Sequence, residues 1–178
     1  MGVLNENAII GASGVSGAYT IDYSCRFNSG DNPYFNQGSF QPTSPYTVSL
    51  WFKRAKIDDA QMLYRINSAD NLLFNSNNTM SLERRSGSFT TTRVFRDVSN
   101  WYHVLVKSTS SDYTLYINGV QEQTASGTAN PYTAGDFNIG SNAPSASSSW
   151  GFDGYMAEFH WVDGTALGPD SFGETGIY

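Results

Sequence analysis

Residues 101–120 read WYHVLVKSTSSDYTLYINGV. In an extended chain the first seven place Tyr102, Val104 and Val106 on one face and Trp101, His103 and Leu105 on the other. Further on, Tyr113, Leu115 and Ile117 alternate with Thr114 and Tyr116. A period of two, carried by β-branched and aromatic residues, marks strands that bury a face. STSSD between them is a polar loop, and Asn118-Gly119 can supply the two positive φ angles of a type I′ turn that returns the chain through VQEQT. The stretch therefore reads as a three-stranded meander and not as a reaction site.

The same texture recurs in YTIDYSCRF, PYTVSLWFKR, NLLFNS, TMSLERR, TTTRVF, FNIGS and YMAEFHWV, separated by Gly, Asn, Asp, Ser and Pro. No segment holds a helical period over three turns. Aromatic residues make up 15% of the chain, as do charged ones, a balance that favours strands over charged amphipathic helices. The expected fold is all-β, a two-sheet antiparallel β-sandwich of jelly-roll type. At 178 residues one core is expected. Residues 19–178 form that domain, and residues 1–18, with their GASGVSGA stretch, form a flexible N-terminal arm. Val3, Leu4, Ile9 and Ile10 give the arm an apolar segment that can add to a neighbouring subunit's sheet edge, or serve as the first edge strand of its own sandwich.

Charge and composition remove several classes of function. The net charge is −6, and Lys and Arg never run beyond the pairs Lys53-Arg54 and Arg84-Arg85, so a nucleic-acid partner is not expected. The chain has no apolar run of membrane-spanning length, and Glu6 breaks a myristoylation signal, so no membrane partner is expected either. The single cysteine, Cys25, cannot close an intramolecular disulfide. Gly11, Gly14 and Gly17 do not have dinucleotide-loop spacing, and no cofactor is implied. Asp31, Asp153 and Asp163 lie in loops that could offer oxygen to calcium, but no metal-binding loop or Cys/His cluster is present, and the expectation is no metal.

Catalytic apparatus is equally thin. There is no nucleophile elbow, and His103 and His160 sit in strand patterns where hydrogen-bonded packing is the ordinary role. Glu158 and Asp163 are the best carboxylate pair, but five residues apart on a regular strand they point to opposite faces. The chain is expected not to be an enzyme. Recognition is the remaining chemistry: Tyr132 and Trp150 in loops can stack on a sugar while Asn142 and Asp153 bond its hydroxyls. The competing reading is that Trp150 and Tyr155 plug one end of the sandwich.

PYTVSLWFKR, the 101–121 meander, FNIGSN and GFDGYMAEFHWVDGTALGPDSFGE together resemble laminin G-like, concanavalin A-like jelly-roll domains, from about residue 19 to the C-terminus. YSCRFNSGDNPYFNQ paired with YMAEFHWVDGTALGPDSFGE resembles, more narrowly, laminin G-like domains in virion structural proteins of tailed bacteriophages. That resemblance implies a non-enzymatic virion protein whose first and last strands lie close together. A single sandwich on a short arm favours capsid decoration, docking on the major capsid protein as a homo-oligomer. A tail or fibre component joined to a tail protein, or an adhesion module for a surface glycan, is the alternative.

Overall fold

The computed structural model describes residues 21–67, 70–84, 87–127, 134–142 and 150–173. The strands are β1 (Cys25–Phe27), β2 (Phe35–Phe40), β3 (Tyr46–Arg54), β4 (Gln61–Ile66), β5 (Asp70–Phe74), β6 (Thr79–Arg84), β7 (Gly87–Val94), β8 (Tyr102–Ser108), β9 (Asp112–Ile117), β10 (Val120–Ser126), β11 (Gly135–Ile139) and β12 (Gly154–Asp163). They form two antiparallel sheets of six, ordered β1-β12-β3-β8-β9-β10 (sheet I) and β2-β11-β4-β5-β6-β7 (sheet II). The all-β two-sheet fold is the one expected. The first strand described pairs with the last, Arg26 opposite Tyr155.

Alternation builds the core. From sheet I, Tyr46, Val48, Leu50 and Phe52 on β3, Val104 and Val106 on β8, and Tyr113, Leu115 and Ile117 on β9 point inward. Tyr64, Ile66, Leu72, Phe74, Met80, Leu82, Phe89 and Phe137 meet them from sheet II. The meander forms as expected, and Asn118 and Gly119 take φ of 51° and 78° at its turn. Asn118 fixes that turn from both its groups: its N–H donates to the His103 carbonyl and its Oδ1 accepts from the His103 N–H.

Two strands have no counterpart among the sequence expectations. QMLYRI, which forms β4, does not alternate because both of its faces are buried: Tyr64 and Ile66 enter the core, while Met62, on the opposite face, is also inaccessible. A bulge at Leu63 turns that residue inward as well. FNQGSF, which forms β2, is an exposed edge strand with a polar centre, and its strand character comes from pairing with β11. Of YTIDYSCRF, in contrast, only Cys25–Phe27 is paired among the described residues.

A second bulge shapes β12. Ala157 is opposite Trp51 but His160 is opposite Ser49, so Glu158 and Phe159 share one position, and Glu158 takes φ 48°. The extra residue inverts the parity of the strand. Met156 and Trp161 can therefore both face the core although they are five residues apart. Beyond β12 the chain turns back across the outer face of sheet I. The Thr47 hydroxyl donates to the Thr165 carbonyl at 2.8 Å and accepts the Leu167 N–H at 2.7 Å, which holds this segment on β3.

Polar groups also join the sheets through the core. Asp70 on β5 and Arg84 on β6 are opposite one another, their side chains fully buried, with Nε and Oδ2 3.4 Å apart. The Tyr46 hydroxyl of sheet I donates to Asp70, Arg84 donates to the Ser108 hydroxyl at 3.1 Å, and its guanidinium lies 4.8 Å from the centre of the Tyr113 ring. Removing one charge strands the other in a low-dielectric interior. Arg84→Met and Asp70→Leu are each expected to lower stability by about 3–5 kcal/mol, while the double variant Asp70→Leu/Arg84→Met should lose less than the sum of the two. Denaturant unfolding of the three variants measures this, and strictly additive losses would show that the two groups act independently.

Candidate functional site

The outward side chains of sheet II form a polar row. Register places Asn36 opposite Asn138, Asn138 opposite Arg65, Arg65 opposite Asn71, Asn71 opposite Glu83, and Glu83 opposite Ser88. The row crosses all six strands, roughly 24 Å at about 4.8 Å per strand. Alternation dictates its direction, because Asn138, Arg65, Asn71 and Glu83 each lie between residues that enter the core, as Asn71 does between Asp70 and Leu72. One row along, Leu73, Ser81 and Thr90 continue the face.

Within the row the amides are held in place. Asn36 donates to the Asn138 Oδ1 at 2.8 Å, and Asn71 donates to the Glu83 Oε2 at 3.1 Å. Asn75 donates to the Ser81 hydroxyl at 2.8 Å, which in turn bonds the Thr90 hydroxyl at 2.8 Å. Arg65 is tied to the carbonyls of Asn67 and Asn142 and to the Asn142 Oδ1. One acceptor is left over. Asn71 is 9% exposed and its Oδ1 has no hydrogen-bond partner. A buried unpaired acceptor costs about 1–3 kcal/mol, and the cost here falls within the β5–β6 pair. The formal charges on the row, Arg65 and Glu83, cancel. Fixed amides, a half-exposed carboxylate and hydroxyls offer donors and acceptors suited to a neutral polyhydroxylated ligand.

Two of the four residues expected to bind sugar lie beside this face. Beyond β11, Gly140 donates to the Leu63 carbonyl and the Trp150 carbonyl accepts the Met62 N–H, so the chain leaves and rejoins β4 at these points. Asn142 is thereby carried onto Arg65, and Trp150 is half-buried next to Met62. Asp153 is elsewhere, accepting from Arg26 at 2.9 Å and from the Ser29 hydroxyl at 2.9 Å, where it fastens β1 to β12. Tyr132 and the arm residues Val3, Leu4, Ile9 and Ile10 lie outside the described residues. The aromatic plug at this end of the core is Phe152, fully buried and edge-on to Phe27, whereas Tyr155 is turned outward. Sequence reading missed Asn36, Arg65, Asn71, Glu83 and Asn138. Only their outward positions on strands signal them, and the register that aligns them is not written in any one segment.

The remaining candidate groups are engaged separately. Glu158 bonds His160 at 3.0 Å and Asp163 accepts the Thr43 N–H at 2.6 Å, so the two carboxylates face different surroundings. Asp31 accepts from the Asn28 side chain. Among the described residues no three His, Cys, Asp or Glu side chains are grouped to hold a metal ion. His103 is buried on the outer face of sheet I, 2.8 Å from the Ser49 hydroxyl and beside the Trp51 ring, with Phe172 of the returning segment near it and near His160.

The chain belongs to the concanavalin A-like lectin/glucanases superfamily, whose Laminin_G_3 family model matches residues 27–171. No curated protein matches it in sequence. Among solved structures it is similar to a putative carbohydrate binding protein from Bacteroides ovatus, with a TM-score of 0.65 at 15% identity over 83% of this chain and 45% of that one. It is also similar to the CBM40 of the Ruminococcus gnavus IT-sialidase bound to alpha2,3 sialyllactose, with a TM-score of 0.58 at 13% identity over 87% and 97% of the two chains. A heptameric SAP-like pentraxin from Limulus polyphemus gives 0.58 at 14% identity over 76% and 73%. At these identities the likeness is one of fold.

The buried histidine generates a pH dependence. Burial, and secondarily the nearby His160, pushes the His103 pKa down to about 4. In the unfolded chain histidine titrates near 6.5, so between the two values the unfolded state binds a proton that the native state refuses. The neutral ring is therefore fully compatible with the fold above about pH 6.5. Stability falls as the pH drops from there toward 4, by on the order of 3 kcal/mol in all. His103→Gln should flatten this slope in unfolding curves measured between pH 7 and pH 4.5, and an unchanged slope would assign the acid sensitivity to other groups.

Proposed function

We propose that this chain is a non-catalytic glycan-binding domain and that its binding surface is the outer face of sheet II, centred on Asn71 and Glu83. The observation that carries the reading is the six-strand polar row, ordered by hydrogen bonds between its own side chains. Glu83 and the Ser81–Thr90 pair accept from or donate to sugar hydroxyls, Asn71 holds the Glu83 carboxylate through its amide, and Arg65 orders the rim through Asn142. Structures of similar fold named as carbohydrate-binding support this function. Binding without turnover suits a face whose central carboxylate, Glu83, is held in a hydrogen bond with an amide.

The setting we propose is a phage virion. The two stretches that resemble virion proteins, around YSCRF and YMAEFHWVDG, are the neighbouring strands β1 and β12, so they form one structural unit of the domain. In that setting the domain is a particle-surface protein that docks on a capsid or tail protein and meets a glycan. A like fold assembled as a heptamer supports a homo-oligomer.

A glycan array probed with the intact chain should give selective hits that Asn71→Ala and Glu83→Gln each weaken by roughly 5- to 100-fold, the equivalent of about 1–3 kcal/mol. Their melting temperatures should stay near that of the parent. Unaltered binding in both variants would reject the face, and an array without hits would reject the function. Release of reducing sugar from a bound glycan would reject the non-catalytic part. Labelling of purified particles with an antibody to the chain tests the setting, since absence from virions overturns it.

A further inference from the structure

The outer face of sheet I bears a second cluster, on the other side of the sandwich from the amide row. Register sets Arg26 of β1 opposite Tyr155 of β12, and Tyr155 opposite Lys53 of β3. The β3–β8 register ends with Phe52 opposite Tyr102, which brings Trp101 beside Lys53. Tyr155 is 37% exposed, and Trp101, Lys53 and the adjacent Trp51 are half-buried. The ring centres of Trp101 and Tyr155 are 6.4 Å apart, although β3 runs between their strands and separates those strands by about 10 Å. The two rings therefore lean together over the stem of Lys53.

The two cations of the cluster differ. Arg26 is answered: it pairs with Asp153 at 2.9 Å, donates to the Gly154 carbonyl at 3.2 Å, and stacks 5.2 Å from the Tyr155 ring centre. Among the described residues Lys53 has neither an ion pair nor a side-chain hydrogen bond. An uncompensated ammonium between aromatic rings, on a molecule of net charge −6, is complementary to a ligand that combines one negative charge with an apolar ring face.

The geometry points to a binding site at Lys53, Trp101 and Tyr155 for a saccharide unit bearing a carboxylate, such as a uronic or sialic acid. The apolar face of the pyranose ring rests on the aromatic rings and the carboxylate meets the Lys53 ammonium. A densely charged polyanion is a poorer match, because the surrounding molecule repels it and a single lysine answers only one charge. This site is independent of the sheet II face, and with it the domain has two recognition surfaces on opposite sides.

Oligosaccharides ending in galacturonate, glucuronate or N-acetylneuraminate, each alongside its carboxyl-reduced neutral counterpart, are titrated into the isotope-labelled intact chain and followed by amide and indole NMR shifts. At least one acidic member should shift Lys53, Tyr155 and the Trp101 indole, bind at least fivefold more tightly than its neutral counterpart, and weaken as salt is raised. Lys53→Gln should abolish the preference and Lys53→Arg restore it, with unchanged melting temperatures and unchanged binding at the sheet II face. Equal affinity for acidic and neutral forms, or a preference surviving Lys53→Gln, overturns the proposal. Shifts confined to Asn71 and Glu83 overturn it while sustaining the sheet II reading, and inorganic phosphate binding as tightly as the best saccharide shows the site to be a general anion contact and overturns it too.

Discussion

Asp70 and Arg84 meet in the middle of the molecule, fully buried, with tyrosines and a serine of the facing sheet around them. Two charges removed from water must be answered from both sheets at once, and only one relative placement of the sheets brings Tyr46, Ser108 and Tyr113 to them. The apolar core, rich in interchangeable Leu, Val and Phe side chains, can tolerate small slips of one sheet over the other. The polar clamp cannot. Everything outside it, including which residues of β5 and β6 point outward, follows from that alignment and from the alternation of the strands.

That alignment is what makes an amide row possible. Asp70 inward requires Asn71 outward, and Arg84 inward requires Glu83 outward, so the buried clamp and the outward row are opposite sides of the same two strands. The contrast in chemistry is physical. Inside, the charges are paired and enclosed by tyrosines. Outside, amides and hydroxyls are fixed by one another. The arrangement resembles a binding surface more than a solvated sheet face, since ordered polar side chains lose little entropy when a ligand arrives.

Sheet I differs because the chain itself covers part of its outer face. The segment after β12 is held by Thr47 and shelters Ser49 and His103, which explains why a histidine on an outward position is inaccessible and reluctant to take a proton. The part nearer β1 keeps Tyr155 exposed and Lys53 without a counter-charge. The two faces of the sandwich thus offer different chemistry, one neutral and amide-rich, the other aromatic and cationic.

The sequence by itself determined the all-β class, the meander through Asn118-Gly119, the alternating faces of β8 and β9, and the absence of basic runs and long apolar spans. These are local properties, written in a period of two and in turn residues that need positive φ. It also drew attention to Asn142 and Trp150, because exposed amides and aromatics in a Gly- and Ser-rich loop stand out. Only the tertiary structure decided the rest. β4 was hidden because burial on both faces erases alternation, and β2 because an edge strand with a polar centre gets its form from its partner. The β12 bulge takes in Glu158 itself, so the regular alternation read between Glu158 and Asp163 does not apply. The rows Asn36–Asn138–Arg65–Asn71–Glu83–Ser88 and Arg26–Tyr155–Lys53 draw on residues more than a hundred positions apart, aligned by backbone hydrogen bonds between strands. Pairing register of that kind is a long-range property, and no single stretch of the chain contains it.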